Sequence, residues 1–224
     1  KIAILFQNDD YGKDYVNGFK DGLGEEGRKL IVAEMPYEVA DPTIDSQIVS
    51  LKNSGADVFF NVTTPKFAAQ AVRQVYDVGW RPTHFLNNVS SSVGGVLTPA
   101  GKEKSKDIIT SLYAKDPAQP EVQATQEYKD WEEWMDKYYP NGNKADSMNV
   151  YGYNAAMTLV HVLEKCGDNL TRENVMKQAA SIKDLELPML LDGVKINTGP
   201  DDFYPIQQER LARFDGTRWV MFGE

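Results

Sequence analysis

Sulfur and imidazole side chains are scarce in this chain of 224 residues, which has one cysteine and two histidines. A single cysteine, Cys166, cannot form a disulfide within the chain and leaves the redox compartment undecided. His84 and His161 lie far apart in the sequence, and neither has carboxylates or thiols beside it at the spacing of metal ligands. The sequence therefore predicts neither a metal site nor a cofactor.

Long apolar runs and an excess of basic residues are also lacking. No apolar run approaches the roughly 20 residues that a membrane-spanning helix needs. The chain has 33 acidic and 24 basic side chains, and this balance argues against a nucleic-acid partner, which needs a basic surface. Lys1 enters an apolar strand directly, so we expect any targeting segment to be removed or to lie outside this sequence.

Apolar strands alternate with amphipathic helices in the first half of the chain. Such an order predicts an α/β fold with a parallel sheet covered on both faces. The predicted strands are Lys1–Phe6, Leu30–Ala33, Asp57–Val62, Thr83–Asn88 and Ile108–Tyr113, and the predicted helices are Gly12–Leu23, Ile44–Lys52 and a helix after Pro65.

The pattern changes after Tyr113, where a proline-bearing stretch, Lys115–Pro120, precedes three helices without strands between them. The helices are predicted at Glu121–Tyr138, Met148–Lys165 and Arg172–Ile182, and short strands at Val194–Ile196, Ile206–Phe214 and Trp219–Phe222. We expect three parts: an α/β ligand-binding lobe at 1–116, a helical segment at 117–190 and a return to the lobe at 191–224. The helices need a surface to cover. We therefore expect the sequence to be incomplete at its N-terminus and the exposed helical faces to support a dimer.

Several motifs for catalysis fail on context. The run Gly22–Gly27 matches G-x-G-x-x-G, but it ends a predicted helix instead of following a strand, so we interpret it as a helix end and turn. Serines 90–92 have no G-x-S-x-G context. Asp9 and Asp10 precede a helix, where capping by at least one of them is the favoured interpretation over an acid/base pair. The sequence therefore does not predict an enzyme.

Polar loops follow three neighbouring strands of the predicted sheet. Asp10 and Tyr11 follow the first strand, Thr63 follows the third, and Asn88 and Ser90 follow the fourth. The carboxyl ends of parallel strands meet at one edge of a sheet, where α/β folds hold their ligands. Asn, Ser and Thr are also common turn formers, so each loop alone is weak evidence. Together, these residues form the predicted binding site.

Four stretches resemble the branched-chain amino-acid type of ABC-transporter solute-binding protein, the Leu/Ile/Val-binding family. They are KIAILFQNDDYGKDYVNGFKDGL at 1–23, SLKNSGADVFFNVTTPKFAAQAVRQVYDVGW at 50–80, NVYGYNAAMTLVHVLEKCG at 149–167 and LTRENV at 170–175. The resemblance implies a type 1 periplasmic binding fold, in which two α/β lobes on a hinge close on a ligand. It also implies that this chain lacks most of the first lobe.

The resemblance implies a role for three residues. Tyr11 matches a ligand-contacting tyrosine, Thr63 stands where another side chain meets the ligand, and Asn88 replaces a glutamate that pairs with an α-ammonium group. An amide cannot neutralise a buried cation, and an unpaired buried charge costs several kcal/mol. We therefore expect an aromatic or other organic acid as the ligand, with a branched-chain or other amino acid as the alternative.

The resemblance further implies ABC permease subunits as partners and a periplasmic or membrane-tethered location outside the cytoplasm. Two other functions stay open. The fold also serves as the ligand-sensing domain of receptors and regulators. A nucleotide-dependent enzyme with an atypical phosphate loop is disfavoured, since no glycine loop directly follows a strand.

Overall fold

The computed structural model describes residues 1–223 and confirms the α/β class. Its seven-stranded sheet has the order β2-β1-β3-β4-β5-β6-β7, with parallel pairing from β2 through β5 and an antiparallel β6–β7 pair at the end. The strands are β1 Ile2–Gln7, β2 Ile31–Tyr37, β3 Val58–Val62, β4 Thr83–Leu86, β5 Ile109–Leu112, β6 Arg210–Phe214 and β7 Trp219–Met221.

The described residues form eight α-helices, and the first four lie between consecutive parallel strands. The helices are α1 Asp10–Arg28, α2 Asp45–Asn53, α3 Pro65–Asp77, α4 Thr98–Ala100, α5 Pro120–Gln123, α6 Gln126–Tyr138, α7 Ser147–Cys166 and α8 Arg172–Ala179. A 3-10 turn covers Asn88–Ser90 and a π-helical turn covers Val93–Leu97. No helix in the described part of the chain is long and apolar enough to cross a membrane.

Both faces of the parallel sheet are covered. On one face, α2 and α3 pack on Ala3, Leu5 and Phe59, and the side chains of this cluster are almost wholly buried. On the other face, α1 packs through Val16 and Phe19. Strands that are buried on both faces are apolar along their length. For this reason the apolar run KIAILF predicts a strand inside the sheet.

The chain divides into two compact units. The first contains residues 1–111 and the C-terminal strand pair, and the second is Leu112–Arg210. The predicted helical segment 117–190 lies wholly within the second unit, where Trp131, Val150 and Met189 are fully buried. Helix α7 also exposes apolar side chains, among them Tyr151 and Leu159. The assignment of lobes and the dimer stay predictions.

Several predicted boundaries were wrong for local reasons. Strand β2 runs to Tyr37, four residues past the predicted end. The prediction stopped early because β2 is an edge strand, and its alternation of more and less exposed residues does not form a continuous apolar run. Helix α1 continues to Arg28, with a break at Gly24 (φ +64°) inside the glycine motif. The segment Ser90–Gly95, predicted as a loop, contains the last residue of a 3-10 turn and part of a π-helical turn.

The second unit also differs from prediction. The helix expected at Glu121–Tyr138 is two helices, since the Thr125 hydroxyl accepts a hydrogen bond from the Tyr128 amide and starts α6 afresh. The strand expected at Val194–Ile196 is a single bridge between Leu185 and Ile196. Two predictions are confirmed: Thr171 caps α8, and the turn at Asp215 and Gly216 joins β6 to β7.

We predict that Gly12→Ala destabilises the protein by about 3 kcal/mol, as overpacking of a tight site does. A Cβ atom at Gly12 would lie 2.0 Å from the carbonyl oxygen of Gln7, where β1 passes into α1. The matched control is Gly18→Ala in the same helix, where an added Cβ meets nothing within 4 Å. The control should gain about 0.5–1 kcal/mol. Equal urea midpoints for the two variants would show that the close approach is not real.

A second prediction concerns pH. His84 in β4 is buried beside Phe59, and burial lowers its pKa to about 3. Below about pH 6.5, the ordinary pKa of histidine, His84 is protonated in the unfolded chain but stays neutral in the folded chain. The free energy of unfolding therefore falls as the pH falls. We expect a loss of about 2 kcal/mol between pH 7 and pH 5.

The loss should disappear in His84→Gln and persist in the control His161→Gln, measured as the free energy of unfolding in urea. Aspartates with lowered pKa, such as Asp9, add their own loss only near and below 3.8, outside this window. Persistence of the slope in His84→Gln would show that His84 is not the responsible group.

Candidate functional site at the carboxyl edge of the sheet

The strand order places a crevice at the carboxyl ends of β1 and β3. Strand β2 lies on one side of β1 and strand β3 on the other, so the chain reverses its direction of progress across the sheet at this point. The loop after β1 leads to α1 on one face, and the loop after β3 leads to α3 on the opposite face. Open α/β sheets hold ligands where such loops part.

The loop after β1 is fixed by Asp9. Its Oδ1 accepts a hydrogen bond from the Gly12 amide (3.0 Å), and its Oδ2 accepts one from Gln7. These bonds, the Gly12 amide first, hold the pKa of Asp9 below its usual value. Capping is therefore confirmed for Asp9. Asp10 lies exposed in the first turn of α1, and its contact with a ligand stays a prediction.

Tyr11 connects this loop to the one after β4. Its hydroxyl donates to Oδ1 of Asn87 (3.0 Å), and its ring meets that of Tyr15 edge-on at 5.1 Å. Tyr15 in turn donates to Oδ1 of Asn88 (3.1 Å). Burial, and then the nearby Tyr15, raises the pKa of Tyr11 well above its ordinary value, so the phenol stays protonated at physiological pH.

Thr63 and Ser90 point inward. The Thr63 side chain is fully buried and its hydroxyl donates to Oδ1 of Asn61 (2.7 Å). The Ser90 hydroxyl donates to the Thr63 carbonyl (2.6 Å). Both hydroxyl protons are committed inside the protein, and these bonds hold the loops after β3 and β4 together. Contact of Thr63 and Ser90 with a ligand stays a prediction.

The structure brings the predicted residues to one edge of the sheet. Asn87 joins all three loops, because its Nδ2 donates to the carbonyl oxygens of Asn61 (3.0 Å) and Thr63 (2.8 Å) while its Oδ1 faces Tyr11. We call this region, formed by the ends of β1, β3 and β4, the carboxyl edge.

Sequence reasoning missed Asn87 and a second network. The Tyr37 hydroxyl donates to Oε1 of Gln7 (3.0 Å) and accepts from the Thr64 amide (3.0 Å). Tyr37 was missed because β2 was predicted to end before it. Asn87 lies next to Asn88, and nothing in two adjacent asparagines shows which of them is buried.

The carboxyl edge offers hydroxyl, amide and carboxylate groups for hydrogen bonding. Within residues 1–223, no group of three or more His, Cys, Asp or Glu side chains could hold a metal ion. The nearby His84 is buried and neutral, and the Ser90 hydroxyl is bound to a carbonyl instead of to a base. The arrangement suits noncovalent binding of a small polar molecule.

The chain is similar to known proteins in both sequence and fold. A family model described as periplasmic binding protein matches residues 1–218. Among curated proteins, Leu/Ile/Val-binding protein homolog 7 of Brucella abortus (strain 2308) is 24% identical over 117 residues. That match covers 52% of this chain and 28% of the relative.

Solved structures of similar fold are longer than this chain. A substrate-binding periplasmic protein from Ralstonia solanacearum has a TM-score of 0.81 and 19% identity, over 99% of this chain and 61% of that one. A branched chain amino acid ABC transporter structure from Thermus thermophilus, with bound valine, has a TM-score of 0.81 and 15% identity, over 100% and 59%. A fatty acid ABC transporter substrate-binding protein from Thermomonospora curvata has a TM-score of 0.74 and 19% identity. That match covers 98% of this chain and 55% of that one.

These identities are below 25%, so the structural likeness establishes the fold alone. The family model covers nearly the whole chain, and with the curated relative it confirms the resemblance to the Leu/Ile/Val-binding type. This chain belongs to the periplasmic binding protein family.

Proposed function

We propose that this chain is the ligand-holding part of the solute-binding component of an ABC importer. It captures a small carboxylate, aromatic or other organic acids being favoured, for delivery to membrane permease subunits, and it works in the periplasm. The observation that carries the proposal is the meeting of Tyr11, Asn87 and Asn88 at the carboxyl edge. Family membership supports transport over catalysis, because the family description is that of a binding protein.

Two features support an acid without an ammonium group as the ligand. Asn88 supplies an amide where a cation needs a carboxylate. The first turn of α3 begins at the same edge. Thr64 is the N-cap residue of this helix, but its side chain does not cap the helix, because the Thr64 hydroxyl donates to Gln7 (3.1 Å). The uncapped amides carry partial positive charge, which favours an anion.

An amino acid is the second candidate ligand, and Asp9 is the observation that favours it. The Asp9 carboxylate lies close enough to Tyr11 to raise the pKa of that phenol. A negative charge at this distance stabilises a ligand ammonium group.

We expect this chain to bind its ligand only at millimolar concentrations. Micromolar affinity needs about -8.2 kcal/mol, or roughly 0.8 kcal/mol for each of about ten heavy atoms, which requires most of the ligand surface to be enclosed. A single edge encloses one side of a ligand.

The test is a titration of the isotope-labelled chain with benzoate and, separately, with L-leucine, followed by NMR. We expect benzoate to shift the amide signals of Tyr11, Asn87 and Asn88 at millimolar concentrations and leucine to shift them less. Stronger shifts with leucine would show that the preferred ligand is an amino acid and not an organic acid. No shifts at this edge with either compound would contradict a binding role for it.

Charge at position 88 gives a sharper prediction. Asn88→Glu should strengthen leucine binding and weaken benzoate binding, each by about tenfold, because one added charge contributes on the order of 1 kcal/mol or more at this range. The carboxylate can still accept the Tyr15 hydrogen bond. Asn88→Gln is the matched control, in which both affinities should stay near those of the parent chain. Unchanged selectivity in Asn88→Glu would place the ligand away from Asn88.

A further inference from the structure

A buried hydrogen-bond relay connects β4 to the carboxyl edge. His84 lies at one end, with its Nε2 3.1 Å from Nδ2 of Asn61, and Oδ1 of Asn61 accepts from the Thr63 hydroxyl. His84 is neutral, so its Nε2 can accept the Asn61 proton. This orientation gives the buried Thr63 hydroxyl proton an acceptor, which the reversed Asn61 amide would not provide. The side chains of Asn61 and Thr63 are thereby locked where β3 ends.

Two backbone carbonyl oxygens at the same strand end fix the orientation of Asn87. The carbonyl oxygens of Asn61 and Thr63 both receive protons from Asn87 Nδ2. A reversed Asn87 amide would place Oδ1 against two carbonyl oxygens in a site where Asn87 is only 3% exposed. Such an arrangement sets oxygen against oxygen with no proton between them and leaves the buried Oδ1 of Asn87 without a donor, so it is energetically disfavoured. Oδ1 of Asn87 therefore faces Tyr11.

Tyr11 is consequently left without a free proton. A phenol has one proton, and Tyr11 gives it to Oδ1 of Asn87. The oxygen of Tyr11 keeps lone pairs that can only accept. A ligand carboxylate, which also only accepts, cannot form a hydrogen bond with it.

We propose that Asn87, held by the backbone carbonyl oxygens of Asn61 and Thr63 at the end of β3, is a positioning residue that makes Tyr11 an acceptor and so favours a ligand that places a hydrogen-bond donor, a hydroxyl or an ammonium group, against it. This inference rests on the proposed function and narrows it. The carboxylate of the ligand lies elsewhere at the carboxyl edge, and a substituent that donates selects among organic acids of similar size.

Three carboxylates with one carbon skeleton test the proposal: 3-phenylpropionate, 3-phenyllactate and L-phenylalanine. They differ only in the group next to the carboxylate, which is hydrogen, hydroxyl or ammonium. We expect phenyllactate to bind the chain about tenfold more tightly than phenylpropionate, the factor for one net hydrogen bond. The advantage should vanish in Tyr11→Phe and persist in Tyr204→Phe, a matched variant at an exposed tyrosine.

The phenylalanine arm identifies the donor. A Tyr11-dependent advantage for phenylalanine alone supports the acceptor role and assigns the donor as an ammonium group. The proposal is overturned if phenylpropionate binds as tightly as phenyllactate and phenylalanine or more tightly. It is also overturned if their tighter binding survives Tyr11→Phe.

A ligand-free measurement separates the orientation of Asn87 from the proposed function. The side-chain amide protons of Asn87 should exchange slowly, and in Tyr11→Phe their exchange rate relative to the Asn87 backbone amide, which donates to the Asn61 carbonyl, should not change. A selective increase would show that Asn87 donates to Tyr11 and would overturn this orientation. If the exchange behaves as expected while none of the three compounds binds, the orientation holds and the proposed function fails.

Discussion

The two donors of Asn87 are both committed to backbone carbonyl oxygens, and the order of the carboxyl edge depends on that commitment. It ties the end of β3 to the loop after β4 and turns the remaining amide oxygen toward Tyr11. Each of these carbonyl oxygens also accepts from a second donor in the same loop, the Asn87 backbone amide for Asn61 and the Ser90 hydroxyl for Thr63. We infer that the contacts that order the edge also select the ligand groups that it binds.

The fold class was predictable because strand burial and helix packing leave separate signatures in the sequence. Strand β1 is apolar throughout since both of its faces are covered, and helix α3 carries its buried side chains at helical spacing. The end of β2 was not predictable, because an exposed edge strand contains polar residues and a proline that are also typical of loops. The π-helical turn at Val93–Leu97 likewise has no signal apart from glycines, which predict a loop equally well.

The candidate site was predictable as a place but not as a set of contacts. Parallel strands and polar loops were enough to bring Tyr11 and Asn88 to one edge. The direction of each side chain depends on partners far away in the sequence, such as Asn61 for the Thr63 hydroxyl and Thr63 for the Ser90 hydroxyl. For this reason the sequence favoured Thr63 and Ser90 as ligand contacts, and the structure shows both hydroxyls bound inside the protein. The roles of Asp10, Tyr11, Thr63, Asn88 and Ser90 in binding all stay predictions.

The most direct test of a ligand site at the carboxyl edge is a crystal structure of the chain grown with 3-phenyllactate. We predict that the ligand lies between the loops after β1 and β3, with its hydroxyl about 2.6–3.2 Å from the Tyr11 oxygen. A ligand bound on another surface, or one with its carboxylate against Tyr11, would contradict this prediction.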